Sequence, residues 1–170
     1  MIIPIRVLVI EDSEHDALLT IEALRWDGYE PEFEQVQSAL EMRAAISGKM
    51  WDVILCDYSM PGFDALAALK LLREANVDVP LIIVSGSIGE ETTVNLMKHG
   101  ATDYLMKDRL TRLGAAVAHA LDETRARKEQ RQTLAALKSE QILFNSLINT
   151  IPDQIYFKNV DSRFPRHYPR

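Results

Sequence analysis

Along the first two thirds of the chain, short apolar, β-rich runs alternate with stretches of helical periodicity. The runs are "IRVLVI" (5–10), "PEFEQV" (31–36, the weakest), "DVILC" (52–56), "PLIIVS" (80–85) and "DYLM" (103–106). Helical spacing fits 14–26, 39–47, 64–75, 90–99 and a segment that starts near Arg109. The first, third and fourth runs are nearly continuous in apolar residues, as expected of strands covered by helices on both faces. Five strands alternating with five helices within about 120 residues predict an α/β fold, a doubly wound five-stranded parallel sheet. In such sheets the functional crevice lies beyond the C-terminal ends of the strands.

After Leu121 the pattern becomes one charged helix, "DETRARKEQRQTLAALKSEQILFNSLINT". Neither Pro nor Gly occurs from Ala115 to Thr150, so the fifth helix is expected to run on uninterrupted. About 35 residues at 1.5 Å each make roughly 50 Å of helix. Glu123 and Arg127 form a favourable i,i+4 pair. From Leu134 the spacing Leu134, Leu137, Gln141, Phe144, Ile148, Ile151 alternates three and four, the seam of a coiled coil. The same seam upstream carries Thr124, Lys128 and Arg131, which leaves the proximal half loosely paired. The expectation is a parallel homodimer of modest affinity through helix 115–150. Pro152 ends the helix. The expected organisation is a domain over 1–121, a connecting helix over 122–150 and a further piece over 151–170.

Charge sharpens this division. The 170 residues carry a net charge of −6. Residues 1–121 hold 19 Asp/Glu against 10 Lys/Arg, a balance of −9, and residues 122–170 hold 6 against 9, a balance of +3. An acidic first part is a poor platform for nucleic acid, whose phosphates require clustered Lys and Arg. No apolar run approaches the roughly 20 residues of a membrane span, and "MIIPIRVLVIED" turns acidic too soon for a signal peptide. The single cysteine, Cys56, excludes an internal disulfide, fits a reducing cytoplasm and reads as a small core residue. Trp26 and Trp51 read as core or rim packing. The four histidines, His15, His99, His119 and His167, lack metal-ligand spacing.

The chemistry collects where the strands end. The first strand delivers Glu11 and Asp12, the third Asp57, the fourth Ser85 and the fifth Lys107. In a parallel sheet all five converge on one rim. Three carboxylates at close range raise one another's pKa unless a cation offsets them. A hard divalent cation such as Mg²⁺, which takes carboxylate and carbonyl oxygens, is the economical solution. Lys107 is expected on the opposite side as a mobile positive charge, with Ser85 as a hydroxyl donor. Together they describe an anion site around a carboxylate nucleophile, Asp57, suited to accept a phosphoryl group. Taken alone, "EDSEHD" has a structural explanation too: Ser13 with Asp16 three residues on resembles a capping box.

This set resembles the receiver domain of two-component response regulators over residues 5 to about 121. The acidic pair Glu11-Asp12, the acceptor Asp57, Ser85 and Lys107 match the family pattern, and "DYSMPGFDAL" and "GATDYLMK" are similar to its motifs. The resemblance implies a flavodoxin-like fold and phosphoryl transfer from a sensor histidine kinase or phosphotransfer protein onto Asp57, with Mg²⁺ as cofactor, followed by slow hydrolysis. It also implies a third protein ligand to the metal from the backbone carbonyl of Ser59, and a switch residue at Tyr104 that works with Ser85. Two positions depart from the pattern. Glu11 stands where Asp is usual. Asp108 follows Lys107 where the family generally has a proline behind a cis bond. A cis bond to a non-proline residue costs about 2.5–4 kcal/mol, so a trans bond or a rearranged loop is expected.

"LFNSLINTIPDQIYFKNVDSRF" resembles the entry into a PAS sensor domain over some 25 residues. That implies a larger sensor, a hybrid histidine kinase or a cyclic-dinucleotide enzyme. Other readings fare less well. A haloacid-dehalogenase-like phosphatase needs a second Asp two residues after the nucleophile, where Ser59 stands. A dinucleotide-binding domain needs glycines after the first strand, where the chain has "IEDSEHD". A degenerate receiver, acting only as a dimerisation module, is opposed by the intact set of five.

Overall fold

The structure, a computed structural model, describes residues 2–58, 60–86 and 89–150. Five strands alternate with helices: β1 (Ile3–Ile10), α1 (Glu14–Trp26), β2 (Tyr29–Val36), α2 (Ala39–Gly48), β3 (Val53–Cys56), α3 (Ala65–Glu74), β4 (Leu81–Ser85), α4 (Glu90–Lys98) and β5 (Asp103–Met106). A 3₁₀ helix, Lys107–Arg112, then leads into α5 (Leu113–Thr150). The sheet order is β2-β1-β3-β4-β5 and every pairing is parallel. This is the doubly wound, flavodoxin-like order, in which β1 and β3 flank the point where the chain reverses its direction across the sheet.

Alternation along the central strands feeds two cores. Leu8, Ile10, Ile54, Cys56, Leu81 and Ile83 face α2, α3 and α4. Val7, Val9, Val53, Leu55, Ile82 and Val84 face α1 and the start of α5. Helix starts follow local side-chain chemistry. Ser13, Ser38 and Asp64 accept backbone N–H groups from Asp16, Glu41 and Ala67 at 3.3, 3.3 and 2.8 Å. The edge strand β2 admits Pro31, paired with Ile5, because its outer side has no ladder to satisfy. Beyond β3, Gly62 takes φ +80°, the conformation that the residue after Pro61 needs in a type II turn.

The structure lengthens one expected element and corrects three other expectations. The weakest run forms a full strand of eight residues, because β1 extends back to Ile3 and offers it a partner along its whole length. The fifth helix starts at Leu113, not near Arg109, since the chain first makes the 3₁₀ turn. Trp26 is 84% exposed at the end of α1, whereas Trp51 is buried and donates to the Ala45 carbonyl. Thr124, placed above on a loosely paired seam, is buried.

The chain forms two compact units, Met1–Ala126 and Arg127–Arg170. In the second, the described part is helix, and Leu134, Leu137 and Phe144 are each more than half exposed. The PAS-like segment 151–170 lies outside the described residues, as do the side chains of Ile148 and Ile151.

The first turn of α5 is held from another element. Gly114 N–H donates to Asp27 Oδ2 at 2.9 Å, so the carboxylate at the end of α1 satisfies a donor that the helix leaves open. A Cβ at Gly114 would sit 2.4 Å from that oxygen and 2.5 Å from Asp27 Cβ. Gly114→Ala is therefore expected to destabilise by roughly 1–3 kcal/mol, the usual cost of forcing atoms into a filled space. In an Asp27→Gly background, which removes both clashing groups, the same change should be neutral or stabilising, because alanine is the better helix former. Urea denaturation of the four proteins reads the change of sign.

Candidate functional site

Strand pairing builds the rim. Ile10 and Cys56 are register partners, and Asp57 N–H donates to the Ile10 carbonyl at 2.8 Å. Glu11 and Asp57 therefore leave the sheet side by side. Glu11 is held on three sides: its N–H reaches the Val36 carbonyl at 3.2 Å, its own carbonyl accepts from Gln35 Nε2 at 2.7 Å, and Oε1 accepts from Ser13 N–H at 3.1 Å. The carboxylate is buried, at 6% side-chain exposure, and Asp57 stands at 11%.

Lys107 comes from the far edge of the sheet, directly after β5. Its Nζ lies 2.8 Å from Glu11 Oε2, 2.6 Å from Asp16 Oδ2 and 3.4 Å from Asp57 Oδ1. The ammonium thus sits among the carboxylates, not opposite them as expected, because the buried Glu11 has to have a counter-charge within reach. Asp12 is exposed at the β1–α1 junction. Ser85 is buried at the end of β4, in register with Met106 and so next to Lys107 along the ladder. Tyr104 is half-buried on β5, and its hydroxyl donates to Met106 Sδ. Ser59 lies outside the described residues. Among the described residues no peptide bond is cis, so the Lys107–Asp108 bond is trans, and it lies in the first step of the 3₁₀ helix.

A family model described as the response regulator receiver domain matches residues 7–118. The chain belongs to the response regulator receiver family. Among curated proteins, the chain is 33% identical over 120 residues to the transcriptional regulatory protein ZraR of Salmonella typhimurium, covering 68% of this chain and 27% of that protein. It is 31% identical over 147 residues to the regulatory protein AtoC of Escherichia coli, covering 83% and 31%. The chain thus spans about a third or less of the length of these relatives. Among solved structures, the receiver domain of a Francisella response regulator is 28% identical, with a TM-score of 0.62 over 71% of this chain and 98% of that one.

Asp16 is the rim residue that sequence patterns obscured. It stands in the first turn of α1, where its spacing from Ser13 reads as half of a capping box. The spacing also carries the missed signal: a helix that starts at the rim turns its third residue back over the crevice. Electrostatics follow from the contacts. Burial pushes the Glu11 carboxyl above its ordinary value, against the pull of Lys107. The hydrogen bond from Lys107 holds Asp16 below its ordinary value. For Lys107, burial works against the charge, but the bonds to Asp16 and Glu11 outweigh it, and the net shift is upward. The ammonium stays charged.

The donor chemistry of the receiver's rim, oxygen throughout, suits a hard dication. Among the described residues, no group of three acidic, His or Cys side chains is arranged to hold a metal. No described helix is long and apolar enough to cross a membrane.

The two acids beside Lys107 should give stability opposite pH dependences. Glu11, raised in the folded state from 4.5, favours folding below that value, and the gain is lost as pH rises through the folded value. Asp16, lowered from 3.8, favours folding above that value, and the gain is lost as pH falls through the folded value. On acidification from neutrality, wild type should therefore gain stability on Glu11→Gln and lose it on Asp16→Asn. Urea unfolding at a series of pH values measures both differences, and parallel trends would refute the assignment.

Proposed function

We propose that Asp57 is the phospho-acceptor of this receiver, charged by a phospho-histidine on a sensor histidine kinase or phosphotransfer protein. A carboxylate oxygen of Asp57 attacks phosphorus; the new O–P bond forms as the P–N bond to histidine breaks. The imidazole leaves with the electron pair and takes up a proton. Lys107 and Ser85 donate hydrogen bonds to the phosphoryl oxygens, offsetting their charge. Glu11, Asp12, Asp57 and the Ser59 backbone carbonyl would hold a Mg²⁺, which would supply further neutralisation of that charge. The observation that carries the reading is Asp57 itself: a nearly buried carboxylate at the end of a central strand, 3.4 Å from an ammonium. Receivers generally work with such partners and with Mg²⁺.

Output follows from Ser85 and Tyr104. A phosphoryl group draws the Ser85 hydroxyl inward, and Tyr104 changes rotamer into the space left, which biases the face made by α4, β5 and α5. The organisation into a receiver over 1–121, a signalling helix over 122–150 and the start of a PAS domain over 151–170 belongs to a larger sensor, such as a hybrid histidine kinase. Pairing of two chains through helix 115–150 brings the two output segments together. The exposed Leu134, Leu137 and Phe144 support that pairing.

With Mg²⁺ and acetyl phosphate, the protein should gain one acid-stable, base-labile phosphoryl group, and Asp57→Asn should reduce labelling to background. Undiminished labelling of the variant sinks the acceptor assignment. The pairing has its own test. Sedimentation should find the intact chain in concentration-dependent exchange with a dimer, and a chain ending at Ala126, which retains the buried Thr124, monomeric. A monomer in both cases removes the dimer from the scheme.

A further inference from the structure

Three carboxylates share the Lys107 ammonium, and the one with the shortest contact, Asp16 at 2.6 Å, has no part in the phosphoryl transfer described above. Its carboxylate also meets the side chain of the cap residue Ser13, but capping does not account for its bond to Lys107. The acid at this place of a capping box ordinarily turns back to the N–H of the cap residue. Here Glu11 Oε1 accepts that N–H from Ser13, and the Asp16 carboxylate accepts from Lys107. Asp57, by contrast, is 3.4 Å from Nζ. Asp16 is also the most open of the three, at 33% side-chain exposure against 11% for Asp57 and 6% for Glu11. The ammonium is therefore held closer to α1 than to the acceptor.

We infer that Asp16 is a positioning residue that tethers Lys107 on the α1 side of the rim in the unphosphorylated receiver, so that a phosphoryl group on Asp57 has to win the ammonium from it. The inference rests on Asp57 being the acceptor. A phosphoryl group brings about −1.5 to −2 of charge and three acceptor oxygens. Lys107 has three N–H donors in all. Two of them go to Glu11 and Asp16, so a second bond given to the incoming group is one withdrawn from Asp16 or Glu11. Asp16 thus works against the phosphorylated form and favours the resting one, without touching the reacting atoms.

Two measurements test this. The first is the NMR signal of the Lys107 ammonium in metal-free, unphosphorylated protein, which should be sharp in wild type and shifted or broadened in Asp16→Asn. The second is the affinity for beryllofluoride, a phosphoryl mimic, in the presence of Mg²⁺. Asp16→Asn should tighten it by about fivefold, the upper reach of a partly exposed ion pair. In a Lys107→Met background the same substitution should change it less than about twofold, since the effect acts through the ammonium. An ammonium signal identical in wild type and Asp16→Asn overturns the tether, as does an equal gain in both backgrounds. Failure of the acceptor assignment looks different: Asp57→Asn would bind beryllofluoride as wild type does, while the ammonium signal, read without metal or anion, would still report on Asp16.

Discussion

One ammonium makes the rim of this sheet tenable. β1 and β3 deliver Glu11 and Asp57 side by side in surroundings that exclude most solvent, and α1 adds Asp16 one turn above. Carboxylates so placed would protonate or push apart without a compensating charge. Lys107 supplies it from a strand at the opposite end of the sheet order. The contact thus joins the ends of β1 and β5 through side chains, across β3 and β4. It ties Glu11 and Asp16 to one cation and sets the distance at which Asp57 meets a positive charge.

Much of this could be read from residue patterns, and the reasons are local. β1, β3 and β4 are apolar on both faces, and few other environments ask for such runs, so strand number, order class and the rim residues followed. The C-terminal ends of those strands then pointed to Glu11, Asp57 and Ser85, and the end of β5 to Lys107. What stayed hidden depends on partners distant in sequence. Asp16 reads as a cap residue until Lys107, 91 positions away, is beside it. Asp108 in place of proline announced an altered loop but not that a 3₁₀ turn would replace it. Trp26 was misread because a large aromatic residue is usually covered; at the end of α1 the core has already passed beneath the helix, and the ring stands in solvent.

The long helix shows a different limit of pattern reading. The lack of Pro and Gly between Ala115 and Thr150 was enough to foresee continuous helix, because helix needs only local hydrogen bonds once begun. Where the compact first unit stops is a tertiary matter. Thr124 is polar and sits among charged residues, yet it is buried, and the unit extends to Ala126. The division expected after Leu121 followed the onset of the charged helix and the change in charge balance.

The bond between Asp27 and Gly114 bears on how such modules are recombined. The first turn of α5 is fitted to the corner between α1 and β2, so its residues are not interchangeable with those of any other helix of similar propensity. A chimera that joins this sheet to the terminal helix of another receiver will inherit whatever residue that helix carries at the position of Gly114. Any side chain there meets the Asp27 carboxylate. Grafts are therefore compatible when both positions travel together or when the junction is cut downstream of the first turn, which makes this pair of residues, and not the visible start of the helix, the natural seam for splicing.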